Sequence, residues 1–207
     1  MKNILCYGDS NTYGYNPDNG NQYDHDLLWT SILNKKLGDQ YKVFNEGLNG
    51  RTTIYDRDFE PSRNGLKALY PILDKYSDID VIIFMLGTND CNVELHLDGK
   101  DIAFGMRTLI SKARDYYQGK KVPRIIVVAP ACIYDNYHDS VFAYQLDDYS
   151  ISKSKQLASL YKELCEELAC DFVDASKLEV SKKDAEHLLI ESHNKLANML
   201  YELLRDY

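Results

Sequence analysis

Short apolar segments alternate along the chain with longer segments in which apolar residues recur every three to four positions. The short segments are rich in β-branched and aromatic residues, and each ends at Gly, Pro or Asp or one residue beyond. These features are typical of strands that are buried on both faces. The predicted strands are ILCYG (4–8), YKVFNEG (41–47), DVIIFMLG (80–87), RIIVVAP (124–130) and CDFVDA (170–175).

The longer segments have the 3.6-residue periodicity of amphipathic helices. The predicted helical faces lie within residues 28–37, 66–73, 102–113, 157–168 and 196–204. Strands that are apolar throughout and separated by helices form parallel sheets covered on both faces. We therefore predict an α/β protein, a three-layer α/β/α sandwich of about five parallel strands in the order 2-1-3-4-5. No linker or internal repeat divides it, so residues 1–207 are expected to form a single domain.

The charge balance limits the classes of partner. The chain has 24 Lys and Arg against 32 Asp and Glu, a formal net charge of −8, and no dense basic block. This balance argues against binding to nucleic acid or to an anionic membrane surface and favours a small-molecule ligand.

The cysteines and the first residues bear on the cellular compartment. The five cysteines are odd in number and form no C-x-x-C pair, so neither a zinc knuckle nor a complete disulfide framework is expected. The apolar run near the first residue is too short for a signal peptide core or a membrane span. We predict a cytoplasmic protein with reduced thiols and with no metal or cofactor.

Ser10 follows the first predicted strand in ILCYGDSNTYG and begins a helix. In an open parallel sheet this end of strand 1 borders the crevice where the strand order reverses, and ligands bind there. Backbone N–H groups at a helix start stabilise negative charge. A nucleophile, a phosphate cradle and a simple helix cap all fit these residues.

Two further strands end in groups that can stabilise an oxyanion. Strand 3 continues into GTND, which places the Asn89 amide at the crevice, and strand 2 continues into GLNGRTT, which supplies the N–H of Gly50. Together with the N–H of Ser10 they provide three donors for one oxygen. In ester hydrolysis, each such donor accelerates the reaction by about 100- to 1000-fold.

A serine hydroxyl needs a neighbouring base, and the base needs an orienting acceptor. Asp184 and His187 are three residues apart between the last strand and the last helix, so in a turn both side chains can face the same way. His193 shares a helix face with Leu196 and Leu200 and is predicted to be a core histidine. The segment 56–63, DRDFEPSR, is predicted to be a solvated loop.

Four motifs in order resemble those of the SGNH hydrolases of the GDSL esterase/lipase superfamily. They are GDSNTYG with Ser10, GLNGRTT with Gly50, GTND with Asn89, and D-x-x-H formed by Asp184 and His187. The resemblance implies a flavodoxin-like SGNH fold with Ser10 as nucleophile, an oxyanion hole of Ser10, Gly50 and Asn89, and an Asp184–His187 base. Asn11 replaces the leucine of the family name, and Ala185 stands where glycine is commoner.

Within that superfamily the chain is more similar to bacterial arylesterases and acyltransferases of the mycobacterial perhydrolase type. The similarity lies in ILCYGDSNTYGY, EGLNGRT, VIIFMLGTND and DIAFGM. It implies hydrolysis of short-chain esters, acyl transfer and assembly into homo-oligomers.

The sequence thus predicts a serine carboxylic-ester hydrolase that acts on short acyl esters, acetyl esters above all, through an acyl-enzyme, with acetylated sugars among the candidate substrates. Asp9, Asn11, Tyr15 and Arg51 are candidate substrate-binding residues. Two alternatives stay open: an acyltransferase that uses the same site, and a flavodoxin-like protein whose loop after strand 1 binds a cofactor phosphate. The second alternative leaves Asp184 and His187 without a role.

Overall fold

The computed structural model describes residues 1–58, 60–76 and 78–207, and its centre is a five-stranded parallel sheet. The strands lie in the order β2-β1-β3-β4-β5, so the predicted order is confirmed. The reversal of strand order falls between β1 and β3. The strands are β1 (Lys2–Gly8), β2 (Tyr41–Gly47), β3 (Ile79–Met85), β4 (Arg124–Ala129) and β5 (Asp171–Asp174).

Helices cover both faces of the sheet, which confirms the three-layer architecture. No helix within the described ranges is long and apolar enough to cross a membrane. The helices are α1 (Ser10–Tyr13), α2 (Trp29–Leu37), α3 (Gly65–Lys75), α4 (Gly99–Tyr116), α5 (Asp148–Leu168) and α6 (Ile190–Leu204).

Each face of the sheet has its own apolar core, because successive residues of a strand point to opposite faces. On one face, Leu5 and Tyr7 of β1 belong to a core completed by α3, α4 and α5. On the other face, Ile4 and Cys6 belong to a core completed by α2 and α6. The two cores cover both faces of the sheet, and the loops at its carboxyl edge lie outside them.

Three helices begin earlier than their apolar periodicity predicts. α5 begins at Asp148, nine residues before the predicted face, and its first turns bury the polar residues Ser150 and Ser154. A capping box between Asp147 and Ser150 fixes this start, because each side chain accepts a hydrogen bond from the backbone N–H of the other residue. Because these buried side chains are short and polar, the apolar periodicity does not indicate the first turns of α5. α4 and α6 begin three and six residues early, respectively.

Candidate active site

Ser10 lies at the carboxyl edge of β1, where the strand turns abruptly into α1. Asp9 caps that helix, and its carboxylate accepts a hydrogen bond from the N–H of Asn11 at 2.9 Å. The turn requires glycine at position 8, because a Cβ there would lie 2.0 Å from Thr12 Oγ1 and 2.8 Å from the Met85 carbonyl oxygen. The N–H of Ser10 donates to no acceptor in the described ranges, so it is available to a ligand.

Ser10, His187 and Asp184 form a continuous hydrogen-bonded chain. Ser10 Oγ lies 2.8 Å from His187 Nε2, and His187 Nδ1 lies 2.9 Å from Asp184 Oδ2. With the proton on Nδ1 donated to Asp184, Nε2 accepts the hydroxyl proton of Ser10. All three residues are at most 6 % exposed. This is the geometry of a nucleophile, a general base and an orienting carboxylate.

The loop that carries Asp184 and His187 is a turn held by its own backbone. Val180 and Leu188 form an antiparallel bridge, and the N–H of Ser181 donates to the His187 carbonyl at 2.7 Å. Asp184 Oδ1 accepts the N–H of His187 at 3.1 Å, which leaves Oδ2 for the imidazole. Ala185 adopts a left-handed conformation with φ 71°. That conformation favours glycine, which accounts physically for the commoner residue at this position.

Asn89 and Gly50 face the same space as Ser10. Asn89 begins a short 3-10 turn after β3, and its Nδ2 donates to the Arg51 carbonyl at 3.1 Å, which leaves one N–H of the amide for another acceptor. Gly50 has φ 76°, and its N–H has no acceptor among the described residues. The N–H groups of Ser10 and Gly50 and the Asn89 amide are therefore three free donors beside one cavity.

These groups line a small cavity of about 150 Å³. The Tyr15 ring packs against the His187 imidazole at a centroid distance of 4.2 Å, and Phe142 meets the same imidazole at 5.9 Å. The residues that line the cavity are Ser10, Tyr15, Asn49, Gly50, Arg57, Glu60, Arg63, Asn89, Phe142, Gln145, Glu186 and His187.

Arg57, from the segment predicted to be a solvated loop, forms part of the cavity wall. Its guanidinium contacts Glu94 at 2.5 Å, Glu60 at 3.4 Å and the amide oxygen of Gln145 at 3.2 Å. Arg63 contacts Glu60 at 3.6 Å. The prediction of a solvated loop was wrong for Arg57, whose side chain is 13 % exposed, because Glu94 and Gln145, far along the chain, hold it in the cavity wall.

Of the four candidate substrate-binding residues, only Tyr15 lines the cavity. Asp9 is fully buried as the helix cap, and burial raises its pKa to about 6. Asn11 is 3 % exposed; its Nδ2 donates to the Glu186 carbonyl at 3.1 Å and its Oδ1 accepts the N–H of Leu188 at 2.8 Å. It therefore joins the Ser10 loop to the His187 loop instead of facing substrate.

Arg51 is also turned into the protein. Its guanidinium donates to the carbonyl oxygens of Gly8, at 2.8 Å, and of Glu46, and it lies 4.3 Å above the Tyr7 ring. Burial lowers its pKa. Arg51 thus links the ends of β1 and β2. It does not line the cavity.

His193 is the core histidine that its helix face predicts. It is 1 % exposed, and its Nδ1 accepts the N–H of Trp29 at 3.2 Å. Burial lowers its pKa to about 4, so the ring is neutral at pH 7. Within residues 1–58, 60–76 and 78–207, no group of three or more His, Cys, Asp or Glu side chains is arranged to hold a metal ion.

Comparisons with known proteins show the family to which the chain belongs. The model of the GDSL-like Lipase/Acylhydrolase family matches residues 6–201. A comparison with curated protein sequences gave no match.

Among solved structures, the aryl esterase of M. smegmatis is 30 % identical, with a TM-score of 0.91 over 100 % of this chain and 99 % of its own. A carbohydrate acetylesterase from Sinorhizobium meliloti is 28 % identical, with a TM-score of 0.92 over 100 % and 99 %. A carbohydrate acetylesterase family member from Sinorhizobium meliloti is 32 % identical, with a TM-score of 0.91 over 100 % and 98 %. The chain therefore belongs to the GDSL-like lipase/acylhydrolase family and is a carboxylic-ester hydrolase of the SGNH type.

Proposed function

We propose that this protein removes short acyl groups, acetyl above all, from the hydroxyl groups of carbohydrates or similar polyols through an acyl-enzyme on Ser10. The observation that carries the proposal is the hydrogen-bonded chain from Ser10 through His187 to Asp184, which faces a cavity bordered by three free oxyanion donors. The carbohydrate acetylesterases among the similar structures support the choice of substrate class.

The first half of the reaction forms the acyl-enzyme. His187 Nε2 takes the proton of Ser10 as Oγ attacks the ester carbonyl carbon, and the carbonyl π electrons move onto oxygen. The donors of Ser10, Gly50 and Asn89 hold that oxyanion. The tetrahedral intermediate then collapses, the bond to the alcohol oxygen breaks, and His187 gives its proton to the departing alcohol. Asp184 keeps the ring oriented and stabilises the imidazolium.

The second half repeats these steps with water. His187 removes a proton from water as the water oxygen attacks the acyl carbon, the same donors hold the second oxyanion, and Ser10 Oγ leaves with the proton that His187 returns. The net products are a carboxylic acid and an alcohol. No group beyond the residues described is needed to balance the reaction.

The size of the cavity supports a short acyl group. Its volume of about 150 Å³ corresponds to about five water molecules at liquid density. That space holds an acetyl group and the first atoms of an alcohol. The charged and amide side chains of its wall disfavour a long alkyl chain, because burial of the chain would desolvate them.

Acyl transfer is the second candidate activity, and the shielding of Ser10 and His187 favours it. Each residue is 6 % exposed, and two aromatic rings pack on the imidazole. An alcohol that enters this confined space competes with water for the acyl-enzyme. Product analysis after addition of benzyl alcohol to a vinyl acetate reaction measures the partition: benzyl acetate indicates transfer, and acetate alone indicates hydrolysis.

The main proposal is tested with p-nitrophenyl acetate and with acetylated xylose and glucose. We expect turnover of these esters by the parent protein, a higher kcat/KM for acetyl than for octanoyl esters, and loss of turnover in Ser10→Ala. Turnover that survives this substitution contradicts the assignment of the nucleophile.

We further propose that the protein acts in the cytoplasm as a homo-oligomer. All five cysteines are free, which supports a reducing compartment. Phe104, Val141, Tyr144 and Tyr149 are more than half exposed and supply apolar area for contact between copies. Light scattering coupled to size-exclusion chromatography tests the assembly; a mass near 24 kDa contradicts it.

A further inference from the structure

Three polar atoms in the cavity wall are buried without a hydrogen-bond partner among the described residues. They are Asn49 Oδ1, Arg63 Nε and Glu186 Oε1. Buried polar groups in native proteins are nearly always paired, so unpaired ones that gather in one cavity need an explanation. A ligand that supplies the missing partners is such an explanation.

Glu186 is the most informative of the three. Its backbone is fixed, because its N–H donates to Asp184 Oδ1 at 3.2 Å and its carbonyl accepts from Asn11 Nδ2 at 3.1 Å. The residue is 8 % exposed and forms part of the cavity wall. In the described ranges no donor reaches its carboxyl group. Burial raises its pKa to about 7, as expected for a carboxylate that has lost water and gained no donor.

The arginine that could pair with Glu186 in this cavity already has other partners. Arg57 lines the same cavity, but Glu60, Glu94 and Gln145 accept the contacts of its guanidinium. The wall therefore holds Arg57 with other acceptors and leaves the Glu186 carboxyl for a donor that comes from outside the protein.

The position of Glu186 indicates which half of the ester it meets. It directly precedes His187, whose Nε2 returns the proton to the departing alcohol oxygen, so the alcohol lies against this loop. Arg63 Nε lies 3.6 Å from the place that a Cβ on Gly50 would take, and Asn49 adjoins Gly50. The cavity that receives the ester thus holds two acceptors and one donor without a partner among the described residues.

We propose that Glu186 determines specificity for the alcohol: its carboxyl accepts a hydrogen bond from a free hydroxyl near the scissile ester, and Asn49 Oδ1 and Arg63 Nε complete a subsite for a hydroxylated alcohol. This inference rests on the proposed function. A hydroxyl group both donates and accepts, so a polyol can pair all three atoms. An alkyl alcohol leaves them unpaired, and sites of this kind reject such analogues strongly.

The test compares two acetates of nearly equal shape, 2-hydroxyethyl acetate and propyl acetate, which differ by a hydroxyl in place of a methyl group. The measured quantity is the ratio of their kcat/KM values in the parent, in Glu186→Gln and in Glu186→Leu. We expect the parent to prefer the hydroxylated ester and Glu186→Leu to lower the ratio about 10- to 100-fold. Glu186→Gln keeps an acceptor of the same shape, so its ratio falls less.

The ratio does not depend on the fraction of folded enzyme. The matched control is Glu166→Leu on the exposed face of α5, and we expect it to have the parent's ratio. An unchanged ratio in Glu186→Leu overturns the proposal. So does an equal effect of Glu186→Leu on methyl glycolate relative to methyl propionate, since these esters carry the hydroxyl on the acyl half. Hydrolysis of both acetates by Ser10→Ala, in contrast, refutes the proposed function itself.

Discussion

Two sets of residues at the cavity differ in whether their polar atoms have hydrogen-bond partners. In one set, Ser10, His187 and Asp184 have partners for every atom that takes part in the proposed proton transfers. In contrast, Asn49, Arg63 and Glu186 each leave a buried polar atom without a partner among the described residues. We call these sets the reaction wall and the recognition wall. Groups that move protons are fixed before substrate arrives, whereas groups that recognise substrate are completed by it.

Substitutions in the reaction wall are expected to lower activity more than any others. Ser10→Ala removes the nucleophile and His187→Ala removes the base, so each should lower kcat for p-nitrophenyl acetate by on the order of 10⁴-fold or more. Ser159→Ala on the exposed face of α5 is the control and should match the parent. Circular dichroism should show the same fold in all variants. A residual rate within tenfold of the parent contradicts the distinction between the walls.

Asn89→Ala tests whether the Asn89 amide, an oxyanion donor beside the reaction wall, acts mainly in the transition state. We expect kcat to fall by about 100- to 1000-fold and KM to change little, because the oxyanion forms only as the carbonyl is attacked. Steady-state kinetics with p-nitrophenyl acetate separates the two constants. A rise in KM with unchanged kcat indicates instead that Asn89 binds the ground state.

The recognition wall predicts a pH-dependent stability. The pKa of Glu186 is about 7 in the fold, against an ordinary value near 4.5; burial raises it, helped by Asp184 and Asp9, while His187 and Arg57 oppose the rise. Between these two values the folded chain binds more protons than the unfolded chain, so this residue lowers stability as pH rises from about 4.5 to 7. The full shift corresponds to about 3 kcal/mol.

Urea unfolding of the parent and of Glu186→Gln at pH 5 and pH 8 measures this contribution. We expect Glu186→Gln to gain stability relative to the parent on going from pH 5 to pH 8, because glutamine has no charge to desolvate. Glu166→Gln is the surface control. The same difference between variant and parent at both pH values indicates that the Glu186 carboxyl is well solvated or paired.

The smallest effect on activity is expected from loss of the hydrogen bonds that connect the Ser10 loop to the His187 loop. Asn11→Ala removes the two hydrogen bonds to the Glu186 carbonyl and the Leu188 N–H, at a cost of about 1–2 kcal/mol in unfolding free energy. Because His187 lies between these backbone groups, kcat should also fall about tenfold. Asn198→Ala on exposed α6 serves as the control. A variant that loses stability but keeps the parent's kcat limits Asn11 to a structural role.

Sequence patterns predicted the sheet well because its strands are apolar throughout and end at clear signals. The predicted strand 41–47 coincides with β2, and the strand order follows from short right-handed connections. Ser10, Gly50, Asn89 and His187 all follow predicted strands along the chain, and the carboxyl edge of the sheet brings them together around one cavity. Their prediction needed only the topology and the chemistry of acyl transfer.

The surroundings of the reaction wall were not predictable in the same way. Arg57 faces the cavity because Glu94 and Gln145, 37 and 88 residues away in sequence, hold its guanidinium, and no local pattern in DRDFEPSR indicates this. Asn11 is a candidate substrate-binding residue in the sequence, whereas in the fold its side chain bonds to backbone groups about 175 residues away. Glu186 adjoins His187 in DAEH, so its position was visible, but its lack of a partner is a property of the folded chain.

The most direct test of the account is the identification of the residue that forms a covalent bond with an acyl-transfer inhibitor. After incubation with paraoxon, digestion and mass spectrometry, we predict one diethyl phosphate group on Ser10 in the parent, with loss of esterase activity in proportion to labelling. Labelling should be abolished in Ser10→Ala and strongly slowed in His187→Ala. Stoichiometric labelling of another residue, or full inactivation with Ser10 unmodified, contradicts the account.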